Sequence, residues 1–177
     1  MKDTAYTNLA LPAHTDNTYF SDPSGLQAFH LLSHTDGSGG ESLLVDGFHA
    51  ASILLKEDKN SFEILERAQI PWHASGNEGI AIKPFKDFPV FNSGTKREGF
   101  RPELVQIRWN NDDRGVVPLV GDLGVTAERW YKAARKWNAI LKRANMEYWT
   151  QLKPGRMLST STHAGYTIHV LTITSLR

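Results

Sequence analysis

The chain has 177 residues, 40% of them hydrophobic and 22% charged, with 20 Lys+Arg against 19 Asp+Glu and a formal net charge of +1. That balance supports one globular domain with a real core, excludes intrinsic disorder, and offers no concentrated basic face for nucleic acid. The absence of cysteine excludes disulfides and thiolate zinc sites. No apolar run reaches membrane-spanning length, and Met1–Ala5 lacks the apolar heart of a signal peptide.

In chain order, the first informative stretch is Ala5-Tyr6-Thr7 followed by His14-Thr15-Asp16. Alternate residues of an extended chain share a face, so the His14 imidazole and the Asp16 carboxylate can converge on one metal ion. Two His and one carboxylate form the facial triad of non-haem Fe(II) oxygenases, which leaves positions open for substrate and oxygen. His-x-Asp supplies two of those three, and on spacing alone it is a weak motif.

Gly25–Leu32 alternates between turn signals and reads as a strand. Ser33–Gly40, rich in Gly and Asp, reads as a hairpin loop into a second strand at Glu41–Val45. Asp46 can cap a helix over Phe48–Lys56, and a further short helix follows Asn60, with Asn60 and Glu63 at capping-box separation. Ile70-Pro71-Trp72 ends it. From Trp72 to Gly99 the chain is broken by Pro, Gly and Asn, with short extended pieces at Gly79–Ile82 and Pro89–Phe91. It reads as a long excursion over the mouth of a site.

Glu103–Trp109 is another strand, and Thr126–Ala144 is the clearest helix. Trp130, Ala133, Ala134, Trp137, Ile140 and Leu141 recur at helical spacing, so one face packs on the sheet. Arg129, Lys132, Arg135, Lys136, Lys142 and Arg143 then form the solvated side. Tyr148–Leu152 returns as a strand into the Lys153-Pro154-Gly155 turn.

Ala5–Asn8, His14-Thr15-Asp16-Asn17-Thr18-Tyr19-Phe20, Gly39–Phe48, Ile107–Arg114 and Leu152–Arg156 together resemble the trimethyllysine and γ-butyrobetaine hydroxylases. These are the carnitine-pathway branch of the TauD/TfdA-like, 2-oxoglutarate-dependent oxygenases. The resemblance runs from about Ala5 to Met157. It implies a mainly β fold with helical insertions, the double-stranded β-helix or jelly roll. It also implies that the chain starts inside that fold, short of its first strands and of the family's small N-terminal zinc domain, so that edge strands go unpaired.

The resemblance implies Fe(II), 2-oxoglutarate as co-substrate and ascorbate as reductant. His14 and Asp16 become metal ligands. Ser42, shortly after Gly39-Gly40, takes the place of a hydroxyl that bonds the co-substrate, against the plain alternative of a strand hydroxyl. Tyr6 matches an aromatic residue facing a quaternary ammonium, a group that cannot donate a hydrogen bond and is recognised by aromatic faces. Asn110 or Arg114 can meet a substrate carboxylate, with a structural turn as the alternative. Thr18-Tyr19-Phe20 is closer to the trimethyllysine enzymes than to the γ-butyrobetaine ones. His30, His34, His49 and His73 have no ligand spacing and are expected to be structural or exposed.

After Arg156 the likeness ends. The family continues to a distal His that completes the triad and an Arg that holds 2-oxoglutarate, whereas this chain reads Met157–Arg177 with His163 and His169 out of that context. A strand is expected at Tyr166–Ile173. The implied function is hydroxylation of a trimethylammonium amino acid, N6-trimethyllysine first and γ-butyrobetaine second. A catalytically incomplete chain that only binds is the other reading. No nucleic-acid or membrane partner is expected, a homodimer stays open, and the setting is cytoplasmic or mitochondrial.

Overall fold

The computed structural model describes residues 11–34, 37, 39–74, 79, 81–95, 103–119, 124–161 and 163, and the backbone of 171–174. Among these, the strands are β1 (Leu26–His30), β2 (Ser42–Val45), β3 (Phe91–Ser93), β4 (Leu104–Ile107), β5 (Glu147–Thr150), β6 (Met157–Ser161) and β7 (Leu171–Thr174), and the helices are α1 (Gly47–Glu57), α2 (Lys59–Arg67) and α3 (Ala127–Leu141).

The pairing is antiparallel and mostly long range. β2 lies between β5 and β7, with Ser42 opposite both Thr150 and Thr174. β1 pairs with β6, and β3 pairs with β4. The hairpin expected between the first two strands is therefore not formed. β1 takes its partner from beyond Arg156, because turn chemistry at 33–40 specifies a reversal of the chain but not which strand receives the other.

Two helix starts show how local chemistry decides. Asp46 caps α1 by accepting from the His49 backbone N–H at 2.9 Å, as expected. For α2 the cap is Asp58 and not Asn60. Its carboxylate accepts from both the backbone N–H and the hydroxyl of Ser61, at 3.0 and 2.8 Å. The Asp-x-x-Ser spacing starts the helix two residues earlier and leaves Asn60 inside its first turn.

All six apolar positions expected on one face of α3 are buried. Trp137 meets the Phe91 ring edge-on at 5.0 Å and the Trp109 ring at 6.3 Å, while Phe62 of α2 lies 4.8 Å from Phe91. One aromatic cluster thus joins α2, α3, β3 and the end of β4. The basic residues of α3 lie at the surface, and Lys136 on it and Arg143 just beyond its end reach back to the other helices. Lys136 pairs with Asp58, and Arg143 grips Glu57 through two nitrogens at 2.7 Å each.

The excursion after Trp72 is anchored where it is described. Ile70 bridges Phe88, Ala74 bridges Ile82, and the Trp72 indole donates to the Phe88 carbonyl at 3.0 Å. At its far side the Phe85 backbone N–H donates to the Ser21 hydroxyl at 3.1 Å, so it borders the turn that follows His14 and Asp16. The tail is also built in, since β6 and β7 complete two of the strand pairings.

Candidate metal centre

The segment carrying His14 and Asp16 owes its conformation to the residue between them. Thr15 is buried and locked to Trp109 by backbone and hydroxyl hydrogen bonds. With Thr15 turned inward, extended geometry turns His14 and Asp16 outward together. Asn17 follows at φ 58°, a left-handed conformation that Asn tolerates, and the chain reverses there with the Phe20 N–H donating to the Asn17 carbonyl at 3.0 Å.

His14 Nε2 lies 3.2 Å from Asp16 Oδ1. On the far side of the ring, Nδ1 is 2.8 Å from the Pro12 carbonyl. A carbonyl can only accept, so Nδ1 carries the proton and Nε2 is the nitrogen left to bind a metal. Asp16 Oδ2 accepts from the Gln27 amide at 2.5 Å. Burial works against a charged His14, but the hydrogen bonds to Asp16 and Pro12 and the charges of Asp16 and Asp113 outweigh it and raise the His14 pKa. Burial likewise opposes a charged Asp16, and its bond to His14, the His14 charge and the Gln27 amide together hold its pKa below the ordinary value.

The turn after β4 closes the other side. Asp113 Oδ2 accepts from the Thr18 hydroxyl at 2.8 Å and from the Asn110 amide at 3.0 Å, while Asn110 Oδ1 accepts from the Asp112 N–H at 3.0 Å. Burial raises the Asp113 pKa, and the neighbouring His14 charge counters it in part. Leu11, Pro12, His14, Asn110, Asn111 and Asp112 line one small open cleft. A second, smaller one is lined by Asp16, Asn17, Ser24, Gln27 and Thr160.

Arg108 is the residue that sequence reasoning missed most clearly. It is 2% exposed, and its guanidinium donates to the carbonyls of Thr18 at 2.5 Å, Phe20 at 2.6 Å and Ser21 at 3.3 Å while stacking 4.2 Å from the centre of the Phe88 ring. Burial lowers its pKa to about 10, with the charge of Asp22 acting the other way. It ties the turn after His14 and Asp16 to the end of β4. A charged residue inside the buried run Gln106–Trp109 was the available signal.

His14 and Asp16 are thus brought together, and Asn110 shares a cleft with His14. Arg114 turns to α3, where it donates to the Tyr131 hydroxyl at 3.2 Å and stacks over the Trp130 and Tyr131 rings, which suits the structural-turn alternative. Ser42 is buried on β2, in the sheet formed with β5 and β7. Tyr6 and His169 lie outside the described residues. His163 bridges Gln106 of β4, and the Gln106 amide is 2.8 Å from its Nε2. Among the described residues no group of three or more His, Cys, Asp or Glu could hold a metal ion. In kind, the donor pair suits Fe(II): one imidazole nitrogen with its tautomer fixed and one carboxylate oxygen beside it.

Residues 1–161 match the taurine catabolism dioxygenase TauD, TfdA family. A trimethyllysine dioxygenase of Neurospora crassa is 50% identical over 190 residues, covering 89% of this chain and 39% of that protein. The trimethyllysine dioxygenase of Meyerozyma guilliermondii is 42% identical over 156 residues, covering 88% of this chain and 37% of its own length. The human mitochondrial trimethyllysine dioxygenase is 41% identical over 162 residues, covering 88% and 36%. The chain therefore spans under two fifths of the length of these relatives. Among solved structures, an asparagine oxygenase in complex with Fe(II), 3-hydroxyasparagine and succinate superposes with a TM-score of 0.54 at 15% identity, over 98% of this chain and 53% of that one. At that identity the likeness concerns the fold, which is the jelly roll with helical insertions that the family resemblance implies.

Proposed function

Because the chain belongs to the taurine catabolism dioxygenase TauD, TfdA family, we propose that its site is that of an Fe(II)- and 2-oxoglutarate-dependent dioxygenase hydroxylating a trimethylammonium amino acid, N6-trimethyllysine. The observation that carries this reading is the His14 and Asp16 pair, with Nε2 and Oδ1 side by side and each side chain held from behind. When bound, the iron supplies the oxidation, with 2-oxoglutarate consumed as co-substrate and ascorbate keeping the metal reduced.

The chain's own residues hold and orient. His14 and Asp16 would hold the metal. The Asn110 side chain is held by Asp112 and Asp113 in the cleft beside His14, where its amide is proposed to meet a substrate carboxylate. Tyr6 is proposed to face the trimethylammonium group by cation–π contact, and Ser42 to hydrogen-bond 2-oxoglutarate. Arg114, engaged by α3, is assigned to the scaffold. The mammalian relatives named mitochondrial support a mitochondrial setting.

A second reading, a chain that binds without turning over, is favoured because no three His, Cys, Asp or Glu among the described residues are grouped so that they could hold a metal ion. Incubation with Fe(II), ascorbate, 2-oxoglutarate and trimethyllysine, with γ-butyrobetaine in parallel, separates the two by mass spectrometry. Hydroxylated trimethyllysine with matching succinate supports the first reading. Fe(II) binding with no product supports the second, and neither binding nor product contradicts both.

A further inference from the structure

We propose that Gln27 is a positioning residue for Asp16, fixing which carboxylate oxygen is offered to a metal. The inference rests on the reading of His14 and Asp16 as metal ligands and adds how their geometry is set.

The two oxygens of Asp16 have different partners. Oδ1 lies 3.2 Å from His14 Nε2, and Oδ2 accepts from the Gln27 amide at 2.5 Å. The Asp16 side chain is 39% exposed, so water competes for it and its carboxylate would rotate freely without a second restraint. With Oδ2 held, Oδ1 stays beside Nε2 and would be the oxygen offered to a metal. An amide is suited to this, because it donates a hydrogen bond to the carboxylate without adding a positive charge that would oppose a metal cation.

Gln27 is placed by strand pairing and not by its neighbours in sequence. It lies on β1 opposite Thr160 of β6, one residue from the Leu26 and Ser161 pair. The Ser161 hydroxyl donates to the Gly25 carbonyl at 2.7 Å, pinning the start of β1. Asp16, Gln27 and Thr160 line one small cleft. Met157–Ser161, where the likeness to the family's motifs ends, thus serves the metal pair by holding the strand that holds Gln27.

The test uses Mn(II) as the probe, with free Mn(II) counted by electron paramagnetic resonance, on the whole chain and on Gln27→Met, Gln27→Leu and Leu26→Ala. Met keeps the length of the side chain and removes the donor. Loss of such an outer-shell partner typically weakens metal binding about 10- to 100-fold. The expected result is a loss of that size for Gln27→Met, no change for the exposed Leu26→Ala, and a dissociation constant that tracks the amide and not the melting temperature. Gln27→Met that melts lower but binds Mn(II) as tightly as the parent overturns the inference and makes Gln27 a packing residue. Gln27→Leu supplies a second check if the Met variant does not fold: affinity equal to the parent's contradicts the need for a donor. A parent chain that binds no Mn(II) overturns the underlying reading itself.

Discussion

The Thr15 backbone N–H donates to the Trp109 carbonyl at 2.7 Å, and the Trp109 N–H donates back to the Thr15 hydroxyl at 2.8 Å. This reciprocal pair joins the His14-Thr15-Asp16 segment to the end of β4, and through the Trp109 and Trp137 rings to α3. The residue in the middle of His-x-Asp is therefore the attachment point of the site to the core.

Thr15→Val keeps the volume and removes the hydroxyl, leaving the buried Trp109 N–H without its acceptor. The expected cost is about 1–3 kcal/mol in urea denaturation, the penalty for orphaning a buried donor. Thr15→Ser retains the acceptor and should lose clearly less. Equal losses in the two variants would show that the methyl group, not the hydroxyl, matters at this position.

Arg108→Lys should fail to rescue. Three carbonyls along Thr18–Ser21 and the Phe88 face match a planar guanidinium, whereas an ammonium presents a single point of contact. Loss of charge-assisted bonds of about 1.5–3 kcal/mol each, only partly offset by relaxation, predicts a destabilisation of several kcal/mol. Faster amide exchange confined to residues 17–21 would mark the freed turn. A Lys variant as stable as the parent would contradict this assignment.

The acid limit of stability should carry the mark of Asp58. The Lys136 ammonium beside it and the Ser61 groups bonded to it lower its pKa from 3.8 to about 2. The folded chain thus binds this proton less readily than the unfolded one. The stabilisation is complete above the ordinary value of 3.8 and is lost as pH falls toward about 2. Asp58→Asn still caps α2, since Asn is as good a cap, but loses the charge. Its melting temperature should fall less steeply over that interval than the parent's. Identical slopes would show that the Lys136 pair is not maintained in solution.

How much was legible follows from the range of the interactions. The α3 face and the Asp46 cap depend on residues within a few positions of each other, and both are as the residues imply. The closeness of His14 to Asp16 follows from the two-residue repeat of extended chain and was legible for the same reason. The start of α2 was misplaced because two capping residues compete two positions apart and Ser61 decides for Asp58. The partner of β1, the three carbonyls on Arg108 and the amide on Asp16 all connect segments distant in sequence. Nothing local in the chain specifies them, since each depends on packing that brings two faces together.

The central claim, that His14 and Asp16 hold the metal, is tested most directly by anaerobic Fe(II) titration of the parent chain, His14→Ala, Asp16→Ala and His30→Ala. His30 is exposed on β1 and stands as the control. Weak binding by the parent, retained in His30→Ala and abolished in both the His14 and Asp16 variants, is the predicted result. Undiminished Fe(II) affinity in His14→Ala would contradict it.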